Sequence, residues 1–314
     1  MSNTLCPLCQ KGGLPQRSNL FKVEKSSSEL YFINKCSYCG MVYTSYNHNV
    51  DPAELYDQND YTVKDTRNSI FFKIQKWEYD AVISRIRKIC RLDSPTLLDF
   101  GSGKGLFLHL ADQKGFRGKG IESSKPRAKY AAEYFGLEIN TDYYSTGNVF
   151  GEKFDVLTSF HVFEHLTNPA ELLNNLVKHN LKDGGLLIIE VPNFGSWQSA
   201  WAGSSWLHLD VPRHIGHFQD ETLKQVVHGA GCTIIKKEYF SLHLGIIGMI
   251  QTLFSWFGYR GFIIAELKQR KSVLLIIKIA LVLPFAVLAE ALAVLFHKGG
   301  ILRYYALYDN GNEE

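Results

Sequence analysis

The chain has 314 residues, 46% of them hydrophobic and 21% charged, with a formal net charge of +3. That is enough apolar material for one large domain with attachments, or two modest ones, and it excludes wholesale disorder. So weak a charge balance gives no reason to expect a nucleic-acid partner, although local patches stay open.

Four of the six cysteines fall in the first 39 residues, as Cys6-Pro-Leu-Cys9 and Cys36-Ser-Tyr-Cys39-Gly40. Each C-x-x-C pair sets two thiolates on one tight turn, and two such turns complete a tetrahedron around zinc. All four positions are used, so the expected Zn2+ is structural and not catalytic. An iron centre or unligated thiols are the alternatives. Residues 1–45 are read as a zinc-ribbon module, too small to hold a core without such a staple. Cys90 and Cys232 stand alone in apolar surroundings and are expected in the core. Paired cysteines of this kind suit a reducing compartment, and the first residues lack an apolar signal-type run. The catalytic part is therefore expected in the cytoplasm.

Residues 46–90 read as a connector with lid helices, including Glu54-Leu-Tyr56-Asp-Gln-Asn-Asp-Tyr61. Residues 91–240 have α/β grammar. Strands are predicted at 96–100, 117–121, 154–159, 186–191 and 233–239, and helices at 106–114, 126–135, 170–180 and 221–229. Asp183-Gly184-Gly185 reads as a turn. Strands alternating with helices imply a mostly parallel sheet.

The first of these strands runs into Asp99-Phe-Gly101-Ser-Gly103-Lys-Gly105, a glycine turn that opens a helix. Without Cβ atoms such a turn can pass close beneath a ligand, and a helix N-terminus can receive a carboxylate or phosphate. The second strand ends in Glu122, where an acid can accept both hydrogen bonds of a ribose diol. Asp99-x-Gly-x-Gly-x-Gly resembles the first motif of class I S-adenosylmethionine-dependent methyltransferases more than the dinucleotide fingerprint. Phe154-Asp-Val-Leu157 with His161-Val-Phe-Glu164-His165-Leu166 resembles the ubiquinone/menaquinone-biosynthesis-like branch, as does Leu181-Lys-Asp-Gly184-Gly185-Leu186 entering its strand. The resemblance covers roughly residues 50–240 and 301–308. It implies a class I, Rossmann-like seven-stranded sheet. It also implies S-adenosylmethionine as cofactor, bound by Asp99, Gly101, Gly103, Gly105, Glu122, Asp142 and His161, with Tyr61 at the methionyl end. The string His161–His165 also spells a metalloprotease-like H-x-x-E-H, but it begins where a strand ends and not on a helix.

Pro192–Phe218 is a long loop rich in tryptophan and histidine. Loops beyond the C-terminal ends of parallel strands are where α/β enzymes bind substrates. His208-Leu-Asp210-Val-Pro212-Arg213-His214-Ile-Gly-His217-Phe218 resembles a segment of methyltransferases in glycan and lipid gene contexts. His214 and His217, then His161, are the candidate bases, because imidazole titrates near neutrality. Arg213 is the candidate anchor for an anionic acceptor. Each of these residues can equally serve only to stitch the loop together.

Residues 241–300 are strongly apolar, with Lys268-Gln-Arg270-Lys271 between two arms. The second arm is long enough to span a bilayer, yet Lys278, Pro284 and Glu290 interrupt it. A membrane-associated hairpin, lying in the interface or spanning, is the leading expectation. A dimerisation hairpin, making a homo-oligomer, or a hydrophobic substrate lid is the alternative. Residues 301–314 supply the last core strand and a polar tail, so the hairpin is an insertion before that strand. The expected activity is in-line O-methylation of a glycan or lipid-linked small acceptor at the cytoplasmic face of a membrane. A protein methyltransferase recruited through the zinc module, and a non-catalytic S-adenosylmethionine-binding scaffold, are the alternatives.

Overall fold

The computed structural model describes residues 5–12, 17–24, 29–46, 70–269, 272–309 and 311. In chain order the strands are β1 (Arg17–Glu24), β2 (Leu30–Cys36), β3 (Val42–Tyr46), β4 (Thr96–Phe100), β5 (Arg117–Ile121), β6 (Glu138–Asn140), β7 (Phe154–Phe160), β8 (Leu181–Pro192), β9 (Gly216–His217), β10 (Cys232–Glu238) and β11 (Ile301–Tyr308). The helices are α1 (Ile70–Cys90), α2 (Leu106–Asp112), α3 (Lys125–Phe135), α4 (Pro169–Asn180), α5 (Trp197–Ala202), α6 (Asp220–Gly229), α7 (Leu242–Trp256), α8 (Ile263–Gln269) and α9 (Val273–Leu295). The chain divides into two compact units. One comprises Met1–Asn49, Pro192–Thr222 and Glu238–Leu302, the other Val50–Val191, Leu223–Lys237 and Arg303–Glu314.

The second unit is built on a seven-stranded sheet of order β10-β11-β8-β7-β4-β5-β6. Pairings β4–β5, β4–β7, β5–β6 and β7–β8 are parallel. The apolar runs of β4 and β8 are buried along nearly their whole length, as strands covered on both faces should be. Val82, Ile83 and Ile86 of α1 pack with Leu97, Leu108, Val156 and Ile188 in its core. The chain leaves β4 toward β5 and β6, then returns to β7 on the other side of β4. The crevice outside the C-terminal ends of β4 and β7 is thus the switch point where α/β sheets take their ligands. Asp183-Gly184-Gly185 lies inside the bounds of β8 as a turn-like irregularity, exposed at Asp183 and Gly184: Leu181 pairs with Phe154 and Leu186 with Val156, and Gly184 has φ 69°. The three-residue edge strand β6 has too little pattern to announce itself.

The first unit contains an antiparallel sheet of order β1-β2-β3-β9. Its third strand pairs not with another cysteine-bearing segment but with Gly216–His217, far along the chain. In the same unit α7 and α9 pack through a stripe at 275, 279, 282, 286 and 289, against Ile246, Met249, Ile250, Leu253 and Phe254. Alternating spacings of four and three put that stripe on one side of α9. A buried polar joint ties these helices to α5. Gln198 Nε2 donates to Gly245 O (2.7 Å) and to Glu290 Oε2 (2.6 Å), while Gly300 N–H donates to Glu290 Oε1 (2.9 Å). Side-chain oxygens of Ser241 and Ser272 cap the N-termini of α7 and α9.

Candidate functional site

In the sheet unit, each glycine of the turn after β4 has φ between 57° and 77°. Their reasons differ. A Cβ at Gly101 would lie 2.3 Å from Val162 Cγ2, and one at Gly105 would lie 2.6 Å from Leu137 Cδ1. Both positions are closed by the protein's own packing. Among the described residues nothing lies within 4 Å of a Cβ at Gly103, and there the turn is open. The backbone N–H groups of Gly101 and Ser102 both donate to Ile121 O, at 2.8 and 3.1 Å, which fastens the turn to the end of β5.

Glu122, next along, is 7% exposed. Its Oε2 accepts the Gly103 N–H at 2.8 Å and its Oε1 accepts the Ser124 N–H at 2.7 Å. Two backbone donors therefore fix the carboxylate beside the open face of the turn. Each oxygen keeps a second lone pair, as a ribose diol requires. Ser102 Oγ is buried with no hydrogen-bond partner among the described residues, over Gly120 and near the side chains of Leu108 and Ile139. These features fit the nucleoside-bearing cofactor that the sequence resemblance implies. Asp99 lies under the turn, where it accepts from Thr158 Oγ1 at 2.7 Å across the switch point. Burial pushes its carboxyl up to about 7, against the Thr158 hydrogen bond and with the Glu122 charge adding to the rise. Asp142 stands exposed just past β6, its N–H bonded to Asn140 Oδ1 at 2.9 Å. Tyr56 and Tyr61 lie outside the described residues.

His161 follows β7 with φ 56°. Its ring meets Glu190 Oε1 through Nε2 at 2.8 Å and Glu164 Oε1 through Nδ1 at 3.5 Å. Burial lowers its pKa, but the hydrogen bonds and charges of Glu164 and Glu190 outweigh it and push the group up to about 10. An imidazolium has no lone pair, so His161 is no base at neutral pH. Glu190 in turn bonds Arg303 Nε, and Arg303 Nη2 reaches Glu78 Oε1 at 2.9 Å. Glu78, Glu164, Glu190 and Arg303 are all buried. Sequence reasoning did not single out Glu78, Glu190 or Arg303. The available signal was a charge inside a fully apolar strand, Leu186-Leu-Ile-Ile-Glu190-Val191 and Ile301-Leu-Arg303, because buried charges persist only when paired.

The other unit holds the remaining candidates. Asp210 gathers two of them. Both of its carboxylate oxygens lie 2.9 Å from Arg213 Nη2, and Oδ2 is 3.9 Å from His214 Nε2. His214 Nδ1 donates to His208 O at 2.8 Å, which leaves Nε2 as the basic nitrogen of the neutral ring. His217 is 3% exposed. Thr44 Oγ1 donates to His214 O at 2.8 Å, so His217 Nε2, 2.9 Å from the same hydroxyl, must be a donor to it. His217 therefore joins β9 to β3 and carries a structural task.

The four cysteines converge. Cys6 Sγ is 3.5 Å from Cys39 Sγ, Cys9 Sγ is 3.6 Å from Cys36 Sγ, and all four sulfurs lie within 4.8 Å of one another. A disulfide needs about 2.05 Å, whereas thiolates around one tetrahedral zinc stand about 3.8 Å apart, from Zn–S bonds of about 2.3 Å. The two knuckles match in detail. Gln10 N–H returns to Cys6 O and Gly40 N–H returns to Cys36 O, each donor residue having positive φ. The donor set and spacing fit a tetrahedral metal with no open position.

A family model described as "Methyltransferase domain" matches residues 71–237. The ubiquinone biosynthesis O-methyltransferase of Cereibacter sphaeroides is 33% identical over 126 residues, covering 37% of this chain and 50% of the relative. Its counterpart in Caulobacter vibrioides is 33% identical over 104 residues, covering 31% and 41%. The chain thus spans at most half the length of these curated relatives, at 50% and 41%. Among solved structures, the plantazolicin methyltransferase BpumL, in complex with SAH and a monoazolic desmethylPZN analog, aligns with TM-score 0.50. It is 14% identical and covers 83% of this chain and 91% of that one, a likeness of fold.

Proposed function

This chain belongs to the methyltransferase-domain family and is an S-adenosylmethionine-dependent methyltransferase, and from that premise we propose that it methylates an oxygen of a glycan or lipid-linked small acceptor at the cytoplasmic face of a membrane. The observation that carries cofactor use is Glu122, fixed by the Gly103 and Ser124 N–H groups beside the open side of the glycine turn. The choice of oxygen is supported by the curated relatives, which are named as O-methyltransferases.

The bound cofactor supplies an electrophilic methyl group. Gly101, Gly103 and Gly105 shape its seat, Glu122 orients the ribose, and Asp99 holds the floor of the turn. His161, kept protonated by Glu164 and Glu190, is a fixed cation and hydrogen-bond donor beside the crevice. His214 would take a proton at Nε2, and Asp210 would stabilise the imidazolium so formed. Arg213 recognises an anionic acceptor. His217 Nε2 donates to Thr44 and takes no proton there. The Cys6, Cys9, Cys36 and Cys39 cluster holds one structural Zn2+ and does no chemistry.

Equilibrium binding of S-adenosylmethionine tests the cofactor seat, with loss expected in Gly103→Arg and Glu122→Ala. Absence of binding to the intact protein defeats the reading. Methyl-labelled cofactor incubated with lipid and glycan extracts tests the acceptor. Transfer to a purified protein alone overturns the proposed class.

A further inference from the structure

α9 carries only two charged residues, Lys278 and Glu290, in its 23-residue span. It is the one described helix long and apolar enough to cross a membrane. Yet only 17% of its most apolar window is buried. Its buried residues are Leu275 and Ala286 of the stripe facing α7, Glu290 of the polar joint, and Ala293. On the opposite side Leu274, Ile277, Leu281, Phe285, Leu288 and Leu292 form an unbroken exposed row, with Leu281 at 67% and Phe285 at 68%. Folded soluble surfaces rarely leave such a patch bare without a partner.

We infer that the outward row of α9 is a membrane-docking face that lies in the plane of one leaflet, with anionic lipid headgroups along its ends. The inference deepens the membrane-surface part of the proposed function and rests on it, but it does not depend on the identity of the acceptor.

The in-plane orientation follows from what lies under α7. A spanning hairpin needs both arms free of the protein body over about 30 Å. α7 is docked along its length instead. Leu244 O receives His208 Nε2, Gly245 O receives Gln198 Nε2, Gln251 Nε2 donates to Ser205 O, and Trp256 packs on Trp201. These partners all belong to the segment 198–208. The order is therefore loop, α7, α9, outside. Only α9 is left to meet lipid, and it meets lipid with one side.

Two further features select a bilayer over a second copy of the chain. First, four rings form a continuous row: Phe296, Trp197, Trp201 and Trp256, with successive centroids 5.6, 5.4 and 5.6 Å apart. Phe296 and Trp256 are more than half exposed. Amphipathic indoles of this kind settle at the headgroup boundary. Secondly, basic residues outnumber the one partly buried acid, Glu266, around the helix. Arg260, Lys278 and Lys298 are exposed, and Lys268, Arg270 and Lys271 precede α9 in the sequence. Basic residues flanking an apolar face are complementary to anionic headgroups. The outward row has no polar side chain that would set the register of a protein partner.

Flotation of the full-length protein with phosphatidylcholine vesicles, with and without phosphatidylglycerol, tests the face. The triple change Leu281→Asp, Phe285→Asp, Leu288→Asp should lower vesicle partitioning by about 100-fold or more, since each removes a large apolar group from lipid. These side chains are exposed, so S-adenosylmethionine binding and circular dichroism should be retained. Retained binding with unchanged partitioning overturns the docking face and leaves the methyltransferase reading intact. A parent dimer that the triple variant converts to monomer, with no vesicle binding by either, assigns the face to a second copy and overturns the proposal. Depth distinguishes the orientations. Tryptophan emission should be quenched by lipids brominated near the headgroup more than by those brominated near the chain end. A cysteine at Arg260→Cys should react with an impermeant maleimide only from the side that carries the protein. Labelling from the far side defeats the in-plane arrangement.

Discussion

His161 and Glu190 meet twice. The backbone N–H of His161 donates to Glu190 O at 2.9 Å, and its Nε2 lies 2.8 Å from Glu190 Oε1. A main-chain bond and an ion pair between the same two residues fix the ring at the C-terminal end of β7, whatever occupies the crevice.

The pairing has a definite pH signature. The folded-state pKa of His161 lies at about 10, above the ordinary 6.5. The stability it contributes is fully present below pH 6.5 and lost as the pH rises through about 10. In NMR titration its ring carbon-bound protons should stay at imidazolium shifts through pH 8. In Glu190→Gln the titration should move down, and thermal stability should fall by about 3–5 kcal/mol, as when one partner of a buried pair is removed. A ring that titrates near 6.5 in the parent protein contradicts the assignment.

The three turn glycines should respond differently to alanine. All have positive φ, so each substitution costs on the order of 1–2 kcal/mol of backbone strain. Gly101→Ala adds a collision with Val162, and Gly105→Ala one with Leu137 and Ala131. Thermal melts should therefore show both well below Gly103→Ala. Calorimetric titration should show the reverse emphasis for Gly103→Arg, with the fold kept and S-adenosylmethionine binding gone.

Elemental analysis should find one zinc per chain. A strong chelator, or Cys36→Ala, should release it and lower the Tm of the unit that contains β1, β2 and β3. Because β3 pairs β9 and Thr44 holds His217, hydrogen exchange should rise at Gly216 and His217 as well as around the knuckles. Exchange confined to the cysteine turns contradicts that coupling.

Glu290 is the one buried charge of α9. Glu290→Ala leaves Gln198 Nε2 with one acceptor fewer and Gly300 N–H with none from this carboxylate, and should cost about 1–3 kcal/mol. Glu290→Gln keeps an acceptor and should cost less. Equal losses in thermal denaturation would show that the joint contributes volume and not hydrogen bonds.

Most strands and helices of the sheet unit were legible because each carries its own period or its own glycine punctuation. Thr96–Phe100 is predicted and found with the same bounds, and Glu122 follows its strand as expected. The cysteine knuckles were legible for the same reason, since C-x-x-C states its geometry locally. What escaped depends on distance in sequence. Gly216–His217 has no strand pattern of its own and becomes one only against β3. His217, chosen as a base from its residue type, is held by Thr44 instead. Arg303 gives no hint of Glu78, 225 positions earlier. The layering of α7 between the loop and α9 likewise depends on Gln198, Ser205 and His208, none of which has an apolar period.

The two units interlace along the chain, and that sets a timetable for synthesis. The segment from Cys6 to Cys39 emerges well before Pro192–Thr222 and Glu238–Leu302, which its unit also needs. Translation at about 5–20 residues per second makes the early strands wait roughly ten seconds to a minute for those segments. The sheet unit waits longer still, since Arg303 and the rest of β11 come after them. A metal ion captured at the knuckles is then a tertiary link that can form before those later segments arrive. It would hold the first strands in hairpin register until β9 arrives, and the apolar α9 would leave the ribosome only after its packing partner α7 was already made.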